Sequence, residues 1–349
     1  MATIPATEAR SLFTKMMVDV YTERPKVFNF LRSFFPTVEE TTKYLSIAVR
    51  RGSEMVAVDV TRGSEGNRNS FGKSTEKVIE PPYYREYFDA TELDIYDRMF
   101  GDVSEISEAT FITFMQDVSE KLLMLVDKIE RAYELQCAQV LETGIVTVAD
   151  GTNINFLRKA GSLVDNTGTA WTGANSPYTH FEAAGNFLRQ VGKAQGGTLN
   201  AILGSTALNA FLDNSVVKAR NDIKNMKLDD VRAPQRDSLG ATLHGQISAG
   251  SYLVNLWAYP EFYDNASGVS TPYINPKKVI VLPEVPKFKL GFAAVPQLLK
   301  AESPRIIKGA YVFGDYPDER LHAHIFDVRS AGVAIPTAVD QIYTMQVVS

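Results

Sequence analysis

The chain has 349 residues, of which 45% are hydrophobic and 22% charged, and its formal net charge is −5. This composition is that of a globular protein that can bury a core, and the length suggests about two domains. The acidic balance disfavours a protein that coats DNA, because affinity for phosphate comes from Lys and Arg density. No apolar run approaches the about 18 residues of a membrane-spanning helix, and the start lacks the apolar core of a signal peptide. A single cysteine, Cys137, excludes an internal disulfide and indicates synthesis in a reducing compartment.

The N-terminal segment predicts an arm rather than a domain. Its apolar residues lie at helical spacing but are too few to fold alone, so we expect it to order only against a partner or the body of the protein. These residues are Phe13, Met16, Met17, Val20 and Tyr21. A dense cluster from Phe28 to Phe35, ended by Pro36, follows the arm and predicts core packing.

A change of hydrophobic period to two predicts a long hairpin between residues 44 and 80. Residues 44–49, 55–60 and 75–80 read as extended strands, and the glycine-rich, charged stretch 61–72 forms the tip. Pro81 and Pro82 end the hairpin. The excursion has too few apolar residues for a core of its own, so the pattern leaves two interpretations open: a mobile loop, or an arm that docks on a neighbouring subunit.

One long helix is predicted from Asp102 to Gly144. The D-x-x-E start at Asp102 and Glu105 is typical of a helix N-terminus, and Gly144 stands where a left-handed cap belongs. An apolar stripe runs between them, and Leu123 and Met124 widen it. At about 40 residues, the helix would be on the order of 60 Å long. We therefore expect a spine that packs on a sheet.

The remaining elements predict a second, α/β-like region. A D-G turn at residues 149–152 predicts a hairpin, and helices are expected at 181–191 and 205–212. Core strands are expected at 199–203, 253–257 and 279–282, and strands close the chain at 310–313, 322–328 and 342–348. The mixed-charge stretch 222–236 predicts a loop.

No motif supports catalysis, a cofactor or a metal. The stretch from Gly185 to Lys193 has the wrong glycine spacing for a phosphate loop, and Ala194 stands where Ser or Thr should be. His322 and His324 could share a strand face, but structural roles are the better interpretation. The sequence cannot exclude a carboxylate pair from distant positions, so that alternative stays open.

The order of elements resembles the major capsid proteins of tailed bacteriophages, and specifically the lambda-like major capsid protein family. Stretches that carry the resemblance are residues 30–35 with 42–45, Gly63 in the hairpin tip, Tyr178 with its helix, 201–204, 316–318 and 329–334. The likeness covers nearly the whole chain and lies in the order of elements rather than in an invariant motif.

The resemblance implies an α+β capsid fold of the Hong Kong 97 type and a structural, non-enzymatic role. It implies an N-terminal arm (1–30), an extended loop (46–80), a peripheral domain with the spine helix (31–45, 81–178 and 305–335) and an axial domain (179–304 and 336–349). The protein would then be the major capsid protein, which self-assembles in the host cytoplasm into the icosahedral shell around double-stranded DNA.

The resemblance also resolves the two interpretations of the hairpin in favour of an intersubunit arm. Expected contact residues of the loop are Arg51, Arg62, Glu65, Arg68, Phe71 and Lys73, and those of the N-terminal arm are Phe13, Met17 and Tyr21. Expected partners are further copies in hexamers and pentamers, a scaffolding protein and a portal, with a trimeric decoration protein also compatible. DNA would be enclosed without sequence-specific binding, no membrane is involved, and a covalent crosslink through Lys73 is not expected.

Two classes of alternative follow from the same sequence. An encapsulin-like nanocompartment shell shares the fold but lacks DNA packaging. An enzyme with an unrecognised carboxylate site would be a monomer or small oligomer and would leave the long arm unexplained. A nucleic-acid-binding protein is opposed by the charge balance.

Overall fold

The computed structural model describes residues 27–49, 75–91, 108–148, 151–172, 175–221, 229–297, 305–318, 320 and 323–349. In these ranges the helices are α1 (Glu108–Glu142), α2 (Pro177–Gln190), α3 (Ser205–Asp213) and α4 (Ser215–Asn221). The strands are β1 (Thr37–Glu39), β2 (Leu45–Val49), β3 (Thr75–Ile79), β4 (Tyr83–Thr91), β5 (Ile145–Val146), β6 (Ile154–Asn155), β7 (Leu163–Asp165), β8 (Thr198–Leu203), β9 (Asp229–Arg236), β10 (Thr242–Ala249), β11 (Tyr252–Ala258), β12 (Phe262–Asp264), β13 (Ser270–Pro272), β14 (Lys278–Pro283), β15 (Lys289–Phe292), β16 (Val295–Gln297), β17 (Arg305–Ile307), β18 (Val312–Asp318), β19 (Ala323–Ile335) and β20 (Tyr343–Gln346). This mixture of segregated helices and mostly antiparallel strands is the predicted α+β class.

The chain divides into two compact units. Unit 1 comprises residues 1–27, 85–129 and 313–329, and unit 2 comprises residues 28–84, 130–312 and 330–349. Helix α1 and strands β4, β18 and β19 contribute residues to both units.

A seven-stranded sheet forms the centre of unit 2. Its strand order is β7-β20-β14-β8-β11-β10-β9, with parallel pairing in β7–β20 and β8–β11 and antiparallel pairing elsewhere. Helices α2 and α3 pack on one face, where Phe181, Phe211 and Trp171 form an aromatic cluster with ring centroids 5.4–6.2 Å apart. Strand β8 is buried from Leu199 onwards, as its mostly apolar sequence predicts for a central strand.

A second sheet has the order β1-β15-β19-β18, and β4 also pairs with β19. In unit 2, the second part of α1 packs on this sheet through Tyr133. The Tyr133 ring meets Phe292 of β15 edge-on at 5.2 Å, and its hydroxyl hydrogen-bonds Ser330 of β19. Gly332 of β19 leaves room for the Tyr133 ring, because a Cβ there would lie 2.8 Å from it. The expectation that this helix packs on a sheet is confirmed for this part.

Helix α1 ends as the sequence predicts. It terminates at Glu142, and Gly144 adopts the left-handed conformation with φ +78° while its N–H donates to the Val140 carbonyl. The hairpin expected around residues 149–152 is also present, as the antiparallel pair β5–β6. The start at Asp102 lies outside the described residues.

Two sequence predictions are wrong. The stretch 222–236 is not a loop throughout, because residues 229–236 form strand β9 at the edge of the large sheet, paired with β10. The charged side chains misled the prediction, since edge strands tolerate charged residues. Leu123 and Met124 do not extend the buried stripe of α1, because their side chains are exposed.

Candidate assembly surfaces

The root of the predicted extended loop is the hairpin stem, defined here as strands β2 and β3. The two strands pair antiparallel from Leu45 with Ile79 to Val49 with Thr75. Leu45 and Ile79, which pair at the base of the stem, are buried, whereas Tyr44, just before β2, and Val78 of β3 are exposed. The base of the stem therefore lies in the core.

The body of unit 2 holds the stem in place. The Leu45 side chain packs on Gly291 of β15, where an added Cβ would lie 3.0 Å from it. The Thr42 carbonyl accepts the Ala294 N–H, and Lys43 forms an ion pair with Glu80 at 2.8 Å. These contacts fix the base of the stem on unit 2.

The expected contact residues fall on the parts of the chain that are not described. Loop residues Arg51, Arg62, Glu65, Arg68, Phe71 and Lys73, and arm residues Phe13, Met17 and Tyr21, lie outside the described residues. What the structure does show is how each of the two segments joins unit 2.

The arm root, defined here as residues Phe28–Phe35, is buried as the aromatic composition predicts. Leu31 and Phe35 have exposed fractions of 0% and 2%. The ring contacts of the arm root are Phe30–Trp257 (5.3 Å), Phe30–Tyr259 (5.6 Å) and Phe35–Phe288 (4.9 Å). Aromatic pairs at these distances stabilise a fold beyond their buried area, by about 0.5–1.5 kcal/mol each.

Glu134 of α1 anchors the arm root from within the core. Its carboxylate is fully buried and accepts hydrogen bonds from the Leu31 N–H (2.8 Å), the Arg32 N–H (2.9 Å) and the Tyr259 hydroxyl (2.8 Å). Burial raises the pKa of Glu134 from 4.5 to about 7, although these hydrogen bonds and the Arg32 charge oppose the shift. The anchor is therefore a carboxyl group that titrates near neutral pH.

A second carboxylate lies one helical turn away and is more accessible. Glu130 pairs with the Arg32 guanidinium and accepts hydrogen bonds from the Tyr311 hydroxyl and the Asn29 amide. Glu130 and Glu134 are four residues apart and thus share a helix face. Together they bind both the backbone and the side chain of Arg32.

Unit 1 carries a charged and aromatic cluster on its strands. Asp327 is fully buried, and its Oδ2 accepts hydrogen bonds from Arg85 (2.9 Å) and Arg329 (2.7 and 2.8 Å). Arg85 also donates to the Tyr316 hydroxyl at 2.6 Å. Gly314 is required beside Asp327, because a Cβ there would lie 2.3 Å from the carboxylate. The cluster fixes Arg85 and Tyr316, two residue types that are frequent in protein interfaces.

Arg158 ties the end of α1 to the large sheet. Its Nε donates to the Ser162 hydroxyl and its Nη1 to the Leu141 carbonyl, and Nη2 shares its two hydrogens among the carbonyls of Ser162 and Ile342 and the Thr344 hydroxyl. A helix leaves its last carbonyls without intrahelical partners, and Arg158 satisfies one of them. This side chain therefore connects α1, Ser162 just before β7, and β20.

Among the described residues, no cluster of His, Cys, Asp and Glu could hold a metal ion, and no helix is long and apolar enough to cross a membrane. His324 lies 3.6 Å from Asp315, and the other member of the predicted pair, His322, lies outside the described residues. Cys137 is buried in the core, as its position on the apolar stripe predicts.

Comparison with known families decides the identity. The model of the phage major capsid protein E family matches residues 14–304. The chain belongs to this family. It is thus the major capsid protein of a tailed phage, it forms the shell of the virion, and the resemblance drawn from the order of elements is confirmed. No curated protein matches the amino-acid sequence.

Solved structures show the same fold at low sequence identity. A prophage protein of Escherichia coli CFT073, assigned as a capsid protein, is similar with a TM-score of 0.60 and 12% identity, over 97% of this chain and 98% of its own. A phage-related protein of Bordetella bronchiseptica RB50 gives a TM-score of 0.50 and 12% identity, over 93% of each chain. The predicted Hong Kong 97-type fold is confirmed.

Two polar residues that tie elements of this capsid protein together, Glu134 and Arg158, were not predicted as site residues. The sequence analysis found no role for either. The sequence holds one signal for Glu134, because this residue lies between the apolar residues Tyr133 and Cys137 and one helical turn after Glu130. Arg158 carries no signal, because its partners come from residues up to 186 positions away.

Proposed function

We propose that this capsid protein assembles into hexamers and pentamers that build an icosahedral shell around double-stranded DNA, without sequence-specific contacts to it. The observation that carries the proposal is the family match across residues 14–304, together with a fold shared over nearly the whole chain with a prophage protein assigned as a capsid protein. The role is structural, in keeping with the family.

We assign the axial domain to the seven-stranded sheet with α2–α4 and the peripheral domain to α1 with the second sheet. The first assignment is supported by the separate apolar core between the large sheet and its helices. Two short strands modify the ranges expected from sequence. Strand β7 pairs with β20 and joins the axial domain, and β15 pairs with β1 and β19 and joins the peripheral domain.

The extended loop and the N-terminal arm are proposed as the intersubunit contacts. Arg51, Arg62, Glu65, Arg68, Phe71 and Lys73 would contact one neighbour, and Phe13, Met17 and Tyr21 others. The stem supports this proposal, because its ordered root on unit 2 would transmit a pull on the loop to the body. Each exposed ion pair of the loop contributes only about 0–1 kcal/mol, so attachment requires many copies of the contact.

Further partners are proposed from the family alone. A scaffolding protein would direct shell size during assembly in the host cytoplasm, and a portal would occupy one vertex. A trimeric decoration protein would bind outside the shell. No crosslink through Lys73 is proposed.

Negative-stain microscopy tests the proposal. The chain is expressed alone and with neighbouring phage genes, and closed icosahedral shells or free hexamers and pentamers are expected. The double variant Arg62→Glu/Arg68→Glu should reduce shell yield at least several-fold. The control Lys218→Glu reverses an exposed charge of α4 and should leave the yield unchanged.

Two outcomes would contradict the proposed shell function, and a third would contradict the role of the loop. A compact monomer in both preparations would remove the shell function itself. Shells that form without phage genes around protein cargo would favour the nanocompartment alternative. If the loop variant and the control give equal shell yields, the proposed role of the loop is refuted, whereas the shell function stands.

A further inference from the structure

The hydroxyl of Tyr259 faces two acceptors but has one hydrogen. Its oxygen lies 2.8 Å from Oε1 of Glu134 and 3.1 Å from the carbonyl oxygen of Phe28. A phenol donates a single hydrogen bond, so it cannot donate to both at once. Which acceptor receives the hydrogen depends on whether Glu134 itself carries a proton.

The two protonation states give two complete arrangements. When Glu134 is ionised, Tyr259 donates to the carboxylate, and Oε1 also accepts the Leu31 N–H. When Glu134 is protonated on Oε1, it donates to the Tyr259 oxygen, and Tyr259 donates onward to the Phe28 carbonyl. The N–H bonds from Leu31 and Arg32 persist in both arrangements, because a protonated carboxyl group still accepts. The bond between Glu134 and Tyr259 reverses its direction, and the bond to Phe28 forms only when Glu134 is protonated.

We propose that Glu134 and Tyr259 form a proton-operated clasp on Phe28, closed when Glu134 is protonated and open when it is ionised. Phe28 is the first residue of the arm root, so the clasp acts where the N-terminal arm joins unit 2. The clasp is a property of buried residues in one subunit. Its effect on assembly rests on the proposed function, in which the arm contacts other subunits.

The surroundings make Glu134 the group that titrates. Burial and the neighbouring Glu134 carboxylate raise the pKa of Tyr259 well above its usual range, and burial does the same for Tyr273, so both phenols stay protonated. The charged groups around the clasp are Arg32 at the arm root, Glu130 and Arg131 on α1, and Glu261 before β12. Arg32 favours the ionised form of Glu134, and burial opposes it more strongly.

The direction of the switch follows from the raised pKa of Glu134. With a value of about 7, the carboxyl group is mostly protonated in mild acid and ionised in mild base. The clasp is therefore closed below about pH 7 and opens above it. Two other contacts of Phe28, its ring contact with Arg236 at 5.3 Å and its packing on Gly240, do not depend on this proton.

Carbonyl NMR of the unassembled full-length chain tests the clasp. Phe28–Asn29 is the only Phe-Asn step in the sequence, so ¹³C-carbonyl Phe with ¹⁵N-Asn gives one correlation that reports the Phe28 carbonyl. Hydrogen bonding moves a carbonyl carbon downfield. We expect the signal to move downfield as pH falls from 9 to 5, with a midpoint near 7, together with the titration of the Glu134 side-chain carboxyl carbon.

Two variants isolate the relay. Tyr259→Phe removes the shared hydroxyl, and Glu134→Gln removes the proton site, so the Phe28 signal should be independent of pH in both. Tyr263→Phe is the matched control, because Tyr263 belongs to the same aromatic row but its hydroxyl is not part of the network. That variant should titrate like the wild-type chain.

A wild-type Phe28 signal that does not move between pH 5 and 9 would overturn the clasp. So would an unchanged transition in the Tyr259→Phe chain. Because this measurement uses unassembled subunits, its failure leaves the shell function intact. Failure to form shells in the microscopy experiment would in turn leave the clasp intact.

Discussion

Replacing Arg158 with Met should destabilise unit 2 by about 3 kcal/mol. The substitution keeps an apolar stem against Gly144 but removes the hydrogen bonds of four N–H groups, because Nη2 shares its two hydrogens among three acceptors. At about 1.5 kcal/mol for each N–H of a charged donor, these contribute about 6 kcal/mol. Burial lowers the pKa of Arg158 from 12.5 to about 10, which corresponds to a desolvation cost of about 3 kcal/mol. The difference is the expected loss.

Urea unfolding followed by tryptophan fluorescence measures this loss where it occurs. The two tryptophans of the chain, Trp171 and Trp257, both lie in unit 2, so the signal reports on the region that Arg158 ties together. Lys159→Met is the matched control. It removes a neighbouring half-exposed charge 3.7 Å from Asp340 and should cost about 0–1 kcal/mol. If the two substitutions lower the free energy of unfolding by equally small amounts, the guanidinium does not hold α1 to the sheet.

Three further predictions concern α1 and its sheet. Gly332→Ala places a Cβ 2.8 Å from two aromatic rings and should cost about 1–3 kcal/mol in urea unfolding, whereas Gly168→Ala, with nothing within 4 Å, should cost little. Because the pKa of Glu134 is raised from 4.5 to about 7, its contribution to stability is fully present below pH 4.5 and should fall by about 3 kcal/mol as pH rises through 7. A pH-independent Glu134→Gln chain would confirm the source, and an equal fall in that chain would refute it. Cys137 is fully buried, and burial raises its thiol pKa, so a thiol reagent should label it only at the rate of unfolding; rapid labelling of the folded chain would contradict the burial.

Much of the fold could be predicted from periodicity. The helix ending at Gly144, the hairpin stem, the strand at 199–203 and the hairpin at 145–155 follow from local rules, since period, caps and turn residues act over few positions. The pairing of these strands could not be predicted. Strand β1 lies beside β15 about 250 residues later, and no local pattern encodes such a partner.

The errors arise where charged residues were predicted to be exposed and apolar residues were predicted to be buried. The charge of Glu134 predicts an exposed side chain, yet it is fully buried, because the arm root covers it and supplies two N–H donors. Residues 229–236 were taken for a loop because their side chains are charged, although edge strands tolerate charge. Conversely, the apolar Leu123 and Met124 are exposed in unit 1. The predicted contact residues of the loop and the arm stay predictions.

The strand order of the large sheet has a consequence for synthesis. Strand β20 at residues 343–346 lies between β7, made about 180 residues earlier, and β14. During translation, β7 and the outer edge of β14 therefore cannot pair with β20 until almost the whole chain has been synthesised. Contacts so distant in sequence fold slowly and leave strand edges open in the meantime. A nascent subunit thus cannot complete its sheet early, and ribosome-bound chains should depend on chaperones to keep these edges from pairing with one another.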